Sequence, residues 1–401
     1  MPRIAVVSSY FPIRAQPHRG HSAYQTVRRM TSRMDIRVFC PFAAYPSFLR
    51  PRNFSYVRAD PSYSPPDVHA QYIEYPALPI LSRPLNGLVC AHRLLPHLER
   101  FKPDLILSYY VYPDGYAALS AGKRLGVPVV LGAIGSDINR IPDRISALLT
   151  RKALREASFV LTVSEHLRDQ AVRLGASPER TRAVRNGCDT SVFRLADRAE
   201  ARTGLGLNTE SEVVVFVGRI APTKGLRELV DAVMRLGVSH PHLQLFCIGE
   251  GALQAELEAR AIDAGLADRI RFLGRRGSLE VASWLAAANV FCLPSYAEGC
   301  PNSVIEALAC GRPVVATNVG GIPELVDSES GILVAPRDSE ALAEALGAAL
   351  SRRWDEPLIS QRSQRGWDQV AEETYQICMD CLGHHDQTDS RRRQSSPNLV
   401  K

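Results

Sequence analysis

Two cations and two carboxylates stand out by their type and spacing. Arg219 and Lys224 flank Ile220-Ala221-Pro222-Thr223 in a run that begins at Gly218 and ends at Gly225, and Glu298 is separated from Glu306 by seven residues. Paired cations at a strand end can neutralise a diphosphate, and a glycine such as Gly218 lets the backbone approach it closely. Gly299 and Pro301 keep Glu298 in a loop while Glu306 falls inside the helix that follows, so the two acids do not share a helical face. They are expected to grip different parts of one ligand. Backbone N–H groups around Gly299, Cys300, Asn302 and Ser303 would point from the helix start towards phosphate or sugar hydroxyls. Plainer readings exist: an exposed turn for Arg219 and Lys224, a turn residue in Glu298, a helix-surface carboxylate in Glu306. Their company favours a site, because Gly311-Arg312-Pro313 and then Gly320-Gly321-Ile322-Pro323-Glu324 offer a second glycine-led helix start.

Short β-branched runs between amphipathic stretches must position these groups. They fall at Ile4–Ser8, Ile36–Cys40, Leu105–Ser108, Val127–Leu131 and Phe159–Val163, and restart after a polar stretch at Val213–Val217, Leu243–Ile248, Ile270–Phe272, Val290–Leu293 and Pro313–Ala316. Strands alternating with helices predict parallel sheets covered on both faces, and 401 residues exceed what one core serves. The expectation is an α/β chain of two doubly wound, Rossmann-like domains, 1–194 and 195–363, facing a shared cleft. A helix over 364–383, with Trp367, Val370, Tyr375 and Ile377 as apolar points, would return to brace the first domain, and a polar tail over 384–401 reads as disordered.

Apolar residues make up 45% of the chain and charged residues 22%, as in a globular protein. Residues 1–194 hold 27 Lys and Arg against 14 Asp and Glu, net +13, which leaves 21 against 28, net −7, for 195–401. The basic half suits an anionic partner or simply a solvated surface. Nucleic acid is not indicated, since no aromatic stacking platform is interleaved with the cations. The opening MPRIAVVSSYF reads as a first strand rather than a signal peptide, and no apolar run reaches the roughly 18 residues of a membrane span. A cytoplasmic chain is expected, its nine cysteines reduced and mostly core-forming. Cys378 and Cys381, followed by His384 and His385, make one lone CxxC, short of the four ligands of a zinc site.

Taken jointly, these motifs resemble glycosyltransferase family 4, whose members have the two-domain GT-B fold. The resemblance rests on Gly218-Arg219 with Lys224-Gly225, the Glu298–Glu306 pair, Leu293-Pro294-Ser295 and Gly320-Gly321 with Pro323-Glu324. It continues through Gly135-Ser136-Asp137, Val163-Ser164-Glu165 and Asn186-Gly187-Cys188-Asp189 with Phe193. It implies that Arg219 and Lys224 contact the diphosphate of a nucleotide sugar, that Glu306 binds the ribose, and that Glu298 touches the transferred sugar. Gly20 would approach the phosphate, and Asp137 would orient donor or acceptor unless it is only a helix cap or turn stabiliser. Retention of anomeric configuration without bound metal or other cofactor is implied as well, and no DxD cluster ends a strand here. Ile134 stands where family members often carry His or Arg, which bears on the donor sugar. Phe11-Pro12, Gly20, Gln25 and Tyr112-Pro113-Asp114-Gly115 look like the subgroup that builds bacterial exopolysaccharide, teichuronic acid or lipopolysaccharide. The implied partners are a UDP- or GDP-sugar and a glycan or lipid-linked acceptor; separately, the basic first half suits an anionic membrane touched peripherally through Arg28, Arg29, Arg33 and Arg37, with Tyr109, Tyr110 and Tyr112 nearby.

Two rivals share the nucleotide: a GT-B epimerase and a catalytically silent binding protein. A dinucleotide oxidoreductase is disfavoured, since neither domain's first strand leads into GxGxxG with an acid about 20 residues on.

Overall fold

A computed structural model describes residues 1–46, 48, 60, 62–139 and 141–394. The chain divides into two compact units, one of Met1–Arg185 with the chain from Trp367 onward, the other of Asn186–Gly366.

The first unit is built on a seven-stranded sheet: β1 Arg3–Val7, β2 Asp35–Ala44, β3 His69–Pro76, β4 Leu105–Tyr109, β5 Val129–Ala133, β6 Phe159–Thr162 and β7 Thr181–Ala183. Their spatial order is β3-β2-β1-β4-β5-β6-β7, every pairing parallel. Burial on both faces explains the uninterrupted apolar runs. Ala5 and Val7 face one core with Ile106 and Leu131, while Ile4 and Val6 face another with Leu105 and Leu107.

Trp367, Val370, Ala371, Ile377, Cys378 and Cys381 join the second of these cores from the helix Trp367–Gln394, which packs against the helix His21–Met30. Arg29 Nε lies 2.8 Å from Asp368 Oδ1, Arg33 pairs with Glu372, and the Arg33 guanidinium sits 3.6 Å over the Tyr375 ring.

The second unit carries β8 Glu212–Val217, β9 Leu243–Ile248, β10 Ile270–Gly274, β11 Val290–Leu293, β12 Val314–Thr317 and β13 Gly331–Val334, in the order β10-β9-β8-β11-β12-β13, again all parallel. In both sheets the order reverses beside the first strand, between β1 and β4 and between β8 and β11. In open α/β sheets, ligands bind outside the strand ends at such a reversal.

Two boundaries differ from the sequence expectation. The second unit begins at Asn186 rather than 195, because the Cys188 N–H donates to the Arg365 carbonyl at 3.0 Å and so ties residues 186–194 to that unit's own end. The last helix runs through Gln394, past the expected limit at 383, because no proline or glycine interrupts 384–394 and each added residue adds one backbone bond. Residues 395–401 of the expected tail lie outside the described residues.

Candidate active site

The reversal between β8 and β11 gathers the residues singled out by spacing. Gly218 follows β8, where its N–H donates to the Ile248 carbonyl at 2.9 Å, and the chain passes Arg219 into a turn of 3-10 helix, Pro222–Lys224. Opposite, the loop after β11 is fastened to that turn by the Tyr296 N–H, 2.9 Å from the Thr223 carbonyl. Lys224 Nζ then lies 2.5 Å from Glu298 Oε1, with both side chains largely buried. The two strands therefore present one fixed ion pair. Gly320, from the loop after β12, backs this pair with a left-handed φ of 57°, and a Cβ there would lie 1.8 Å from the Glu298 carbonyl oxygen. Only glycine permits that approach.

Gly299 and Cys300 lead to Pro301, which starts the helix Asn302–Ala309 without a side-chain cap and without an acid in its first turn. Asn186 steadies this entry by donating Nδ2 to the Cys300 carbonyl at 3.1 Å and to Asn302 Oδ1 at 2.9 Å. Ser303 is partly exposed in the first turn. One turn on, Glu306 is partly buried, and burial pushes its carboxyl up to about 7. Among the described residues the Glu306 carboxylate has no hydrogen bond or ion pair, and Arg219 is exposed and equally unpartnered. An uncapped helix start, an unmatched acid and a free cation form a surface with unused capacity for a polar, anionic ligand.

The first unit's expected residues sit differently. Asp137 is buried, and its two oxygens accept from the N–H groups of Val111 at 3.0 Å, Ile134 at 3.2 Å and Gly135 at 2.8 Å. Burial raises its carboxyl above the usual range. The side chain thus holds two loops together, in the turn-stabilising manner. Gly20 opens the helix His21–Met30 with a φ of 61°, where a Cβ would lie 1.9 Å from the Tyr10 carbonyl oxygen. That chain crossing alone requires glycine.

Asp114 and Arg19 were not singled out by the sequence reading. Asp114 Oδ2 accepts from the Ser9 N–H at 2.5 Å, Oδ1 is buried without a partner, and burial pushes the carboxyl up to about 7. Arg19 donates from Nη2 to the Ser9 carbonyl at 3.0 Å and lies 4.8 Å over the Tyr10 ring, and burial lowers its pKa. The only signal was the Tyr112-Pro113-Asp114-Gly115 run. Cys378 and Cys381 point into the core, and among the described residues no group of three or more His, Cys, Asp or Glu is placed to hold a metal.

Two parallel-sheet Rossmann-like units, the second with this motif set at its reversal, define the GT-B class of glycosyltransferases. Solved structures agree on the fold. The sucrose-phosphate synthase of Thermosynechococcus elongatus superposes with a TM-score of 0.74 at 21% identity, over 96% of this chain and 100% of that one. The Anabaena protein HepE in complex with UDP superposes with a TM-score of 0.68 at 18% identity, over 99% and 100%.

A family model described as Glycosyltransferase Family 4 matches residues 20–192, and one described as Glycosyl transferases group 1 matches residues 211–352. The Bacillus subtilis protein TuaC, assigned to teichuronic acid biosynthesis as a glycosyltransferase, is 30% identical over 86% of this chain and 88% of its own. A D-inositol 3-phosphate glycosyltransferase of Mycobacteroides abscessus is 35% identical over 62% of this chain and 59% of its own. The chain belongs to glycosyltransferase family 4, and it is a glycosyltransferase of the GT-B type. No helix among the described residues is long and apolar enough to cross a membrane.

Proposed function

We propose that this chain transfers a hexosyl group from a UDP- or GDP-sugar, with retention and without a metal, to a glycan or lipid-linked acceptor in cell-surface polysaccharide synthesis on the cytoplasmic side. The observation that carries this reading is the Glu306 carboxylate, unpartnered beside an uncapped helix start and a Lys224–Glu298 pair. Two ribose hydroxyls would satisfy Glu306, and their donation would favour its ionised form. Arg219, Lys224 and the N–H groups from Gly299 to Ser303 would meet the diphosphate and supply the positive charge that a metal supplies elsewhere. Glu298 would accept from the sugar's hydroxyls while its other contact holds Lys224.

The anomeric carbon's bond to the β-phosphate oxygen breaks as the acceptor oxygen bonds to the same face of that carbon. The acceptor's proton passes to the departing phosphate oxygen, so no protein nucleophile is needed. Lys224 and Arg219 stabilise the charge that grows on that phosphate. Asp137 takes a positioning part, holding the loops after β4 and β5. The relatives' names support the substrate classes: TuaC is assigned to teichuronic acid, and HepE was solved with UDP and with UDP-glucose.

Thermal unfolding with UDP, GDP and ADP tests the donor reading. Ligand at a hundredfold over its Kd stabilises the native state by about 2.7 kcal/mol. One diphosphate should raise Tm in the natural chain and fail to do so in Glu306→Gln; no shift with any of the three would sink the reading.

A further inference from the structure

Tyr296 lies two residues before Glu298 in the loop after β11, and three other elements meet on it. Its N–H donates to the Thr223 carbonyl at 2.9 Å, and its hydroxyl donates to Glu228 Oε1 at 2.7 Å. Glu228 stands in the first turn of the helix Leu226–Leu236, four residues beyond Lys224. Two side-chain links therefore join the same two segments, Lys224 to Glu298 and Glu228 to Tyr296. Arg227 turns instead to Glu256, whose two oxygens it engages at 2.6 and 2.8 Å. Glu228 Oε2 is buried without a hydrogen bond among the described residues, so the tyrosine hydroxyl is what compensates this carboxylate.

The third element is the loop between β13 and the helix Ser339–Ser351. From it the Arg337 guanidinium reaches 4.6 Å from the Tyr296 ring centroid, within cation–π range. Arg337 has a φ of 64°, and among the described residues of the second unit no other non-glycine residue has a positive φ. A left-handed backbone is uncommon outside glycine, asparagine and aspartate. Such strain persists where the surroundings over-determine it, and it gathers at ligand clamps and active sites. Asp338 fixes the next step of the chain, accepting from the Glu340 and Ala341 N–H groups at 3.1 and 2.9 Å as the helix cap. The strained residue thus delivers a cation onto the ring that anchors the Glu298 loop.

We propose that Glu228, Tyr296 and Arg337 are positioning residues, which hold the segment 296–298 so that Glu298 keeps one oxygen on Lys224 and presents the other to the donor's sugar. The identity of what Glu298 meets rests on the transfer reading; the clamp is a property of the chain itself. Its loss should cost turnover rather than diphosphate binding, because the helix start at Asn302 is held separately by Asn186. A small misplacement of a sugar-positioning group is enough to slow a reaction whose ground-state binding is intact.

The test compares Tyr296→Phe, Arg337→Gly, Glu228→Gln and Arg337→Lys with the natural chain. The readouts are Tm, Kd for UDP and GDP, turnover of UDP-glucose and GDP-glucose followed as released diphosphate, and backbone hydrogen exchange over 295–300. Tyr296→Phe should lower kcat roughly tenfold or more, leave the diphosphate Kd unchanged and speed exchange. Arg337→Gly relieves the left-handed strain, so kcat should fall roughly two- to fivefold while Tm holds or rises, a split that a merely structural role does not produce. Glu228→Gln and Arg337→Lys keep the acceptor and the cation, and should keep kcat near the natural value. Unchanged kcat in both Tyr296→Phe and Arg337→Gly overturns the proposal, as does a loss of diphosphate affinity that matches the loss of kcat. If the natural chain neither binds a diphosphate nor turns over a donor, the transfer reading falls and exchange decides the clamp alone: faster exchange in Tyr296→Phe upholds it, and unaltered exchange overturns it.

Discussion

Between β8 and β11 the charged groups keep capacity in reserve, whereas between β1 and β4 most of their contacts are made to the fold itself. Glu306 and Arg219 have no partner among the described residues, and the one fixed contact, Lys224 to Glu298, is between two groups that each retain further hydrogen-bonding positions. On the other sheet Asp137 is satisfied by three backbone N–H groups, and Asp114 and Arg19 both grip Ser9, which leaves only Asp114 Oδ1 and Arg19 Nε without a partner among the described residues of this cluster. The same topology thus leaves a carboxylate and a cation wholly unpaired at one unit's reversal and ties the charges of the other mainly to its own backbone. Catalytic charge must act on what is absent from the resting protein, and structural charge acts on what is always there.

The sharpest way to break this comparison is to remove the reserve. Lys224→Ala or Glu306→Gln should lower transfer by roughly a thousandfold, the loss typical of one preorganised electrostatic contact, with the fold retained by circular dichroism. Full activity in either variant would dissolve the distinction. The opposite result is expected at Asp137. Asp137→Asn turns an amide donor towards backbone donors, so a stability loss of about 2–3 kcal/mol in denaturant unfolding is expected. An unchanged midpoint with lost transfer would return Asp137 to the chemistry.

How far the sequence reaches follows the same division. The second unit's motifs were legible because glycine, proline and charge occur at fixed offsets around strand ends, and the structure brings Arg219, Lys224, Glu298 and Glu306 to one reversal. The strands buried on both faces were legible as apolar runs, yet β3, β7 and β13 were not recognised. β3 reads His-Ala-Gln-Tyr-Ile-Glu-Tyr-Pro and lies at the sheet edge, β7 has three residues with an exposed Arg182, and β13 is a four-residue edge strand. Edge strands need no continuous apolar run, so periodicity misses them. Val127–Leu131 was placed two residues early, because Val127 is apolar but precedes Pro128, and the strand starts at Val129. Asp114 and Arg19 could not be paired from sequence, since 95 residues separate groups that only the β1/β4 pairing brings together. Arg312 shows the converse. It sits in a motif that looked ligand-facing but is fully buried, donating to the Cys310 and Ala288 carbonyls and to Glu356 at 2.5 Å.

Acidity sharpens the comparison further. The Glu306 carboxyl is raised from 4.5 to about 7 by burial, so the folded state keeps a proton that the unfolded chain has lost. Its contribution to stability is therefore full below about 4.5 and lost as pH rises to about 7. Glu306→Gln should remove this dependence and raise stability at pH 8 by on the order of 1–3 kcal/mol. Nucleotide affinity should run the other way, because ribose hydroxyls donate to the ionised form. Calorimetric titration between pH 5 and 8 should find affinity falling, by up to about tenfold per unit, as pH drops below 7. A flat profile would mean that Glu306 does not meet the ligand as a carboxylate.

The smallest effect probes whether the first unit's excess cations face a ligand at all. Arg33 pairs with Glu372 and covers the Tyr375 ring, so its charge is answered by the last helix. Exposed ion pairs contribute little, and Arg33→Gln should lower Tm by only roughly 1–2 °C, less at high salt, with transfer unaltered. If Arg33→Gln instead leaves Tm alone and weakens binding of an anionic acceptor, the helix His21–Met30 faces a ligand after all. The cations around that helix, part of the net +13 on residues 1–194, would then be a working surface rather than the anchor of the last helix.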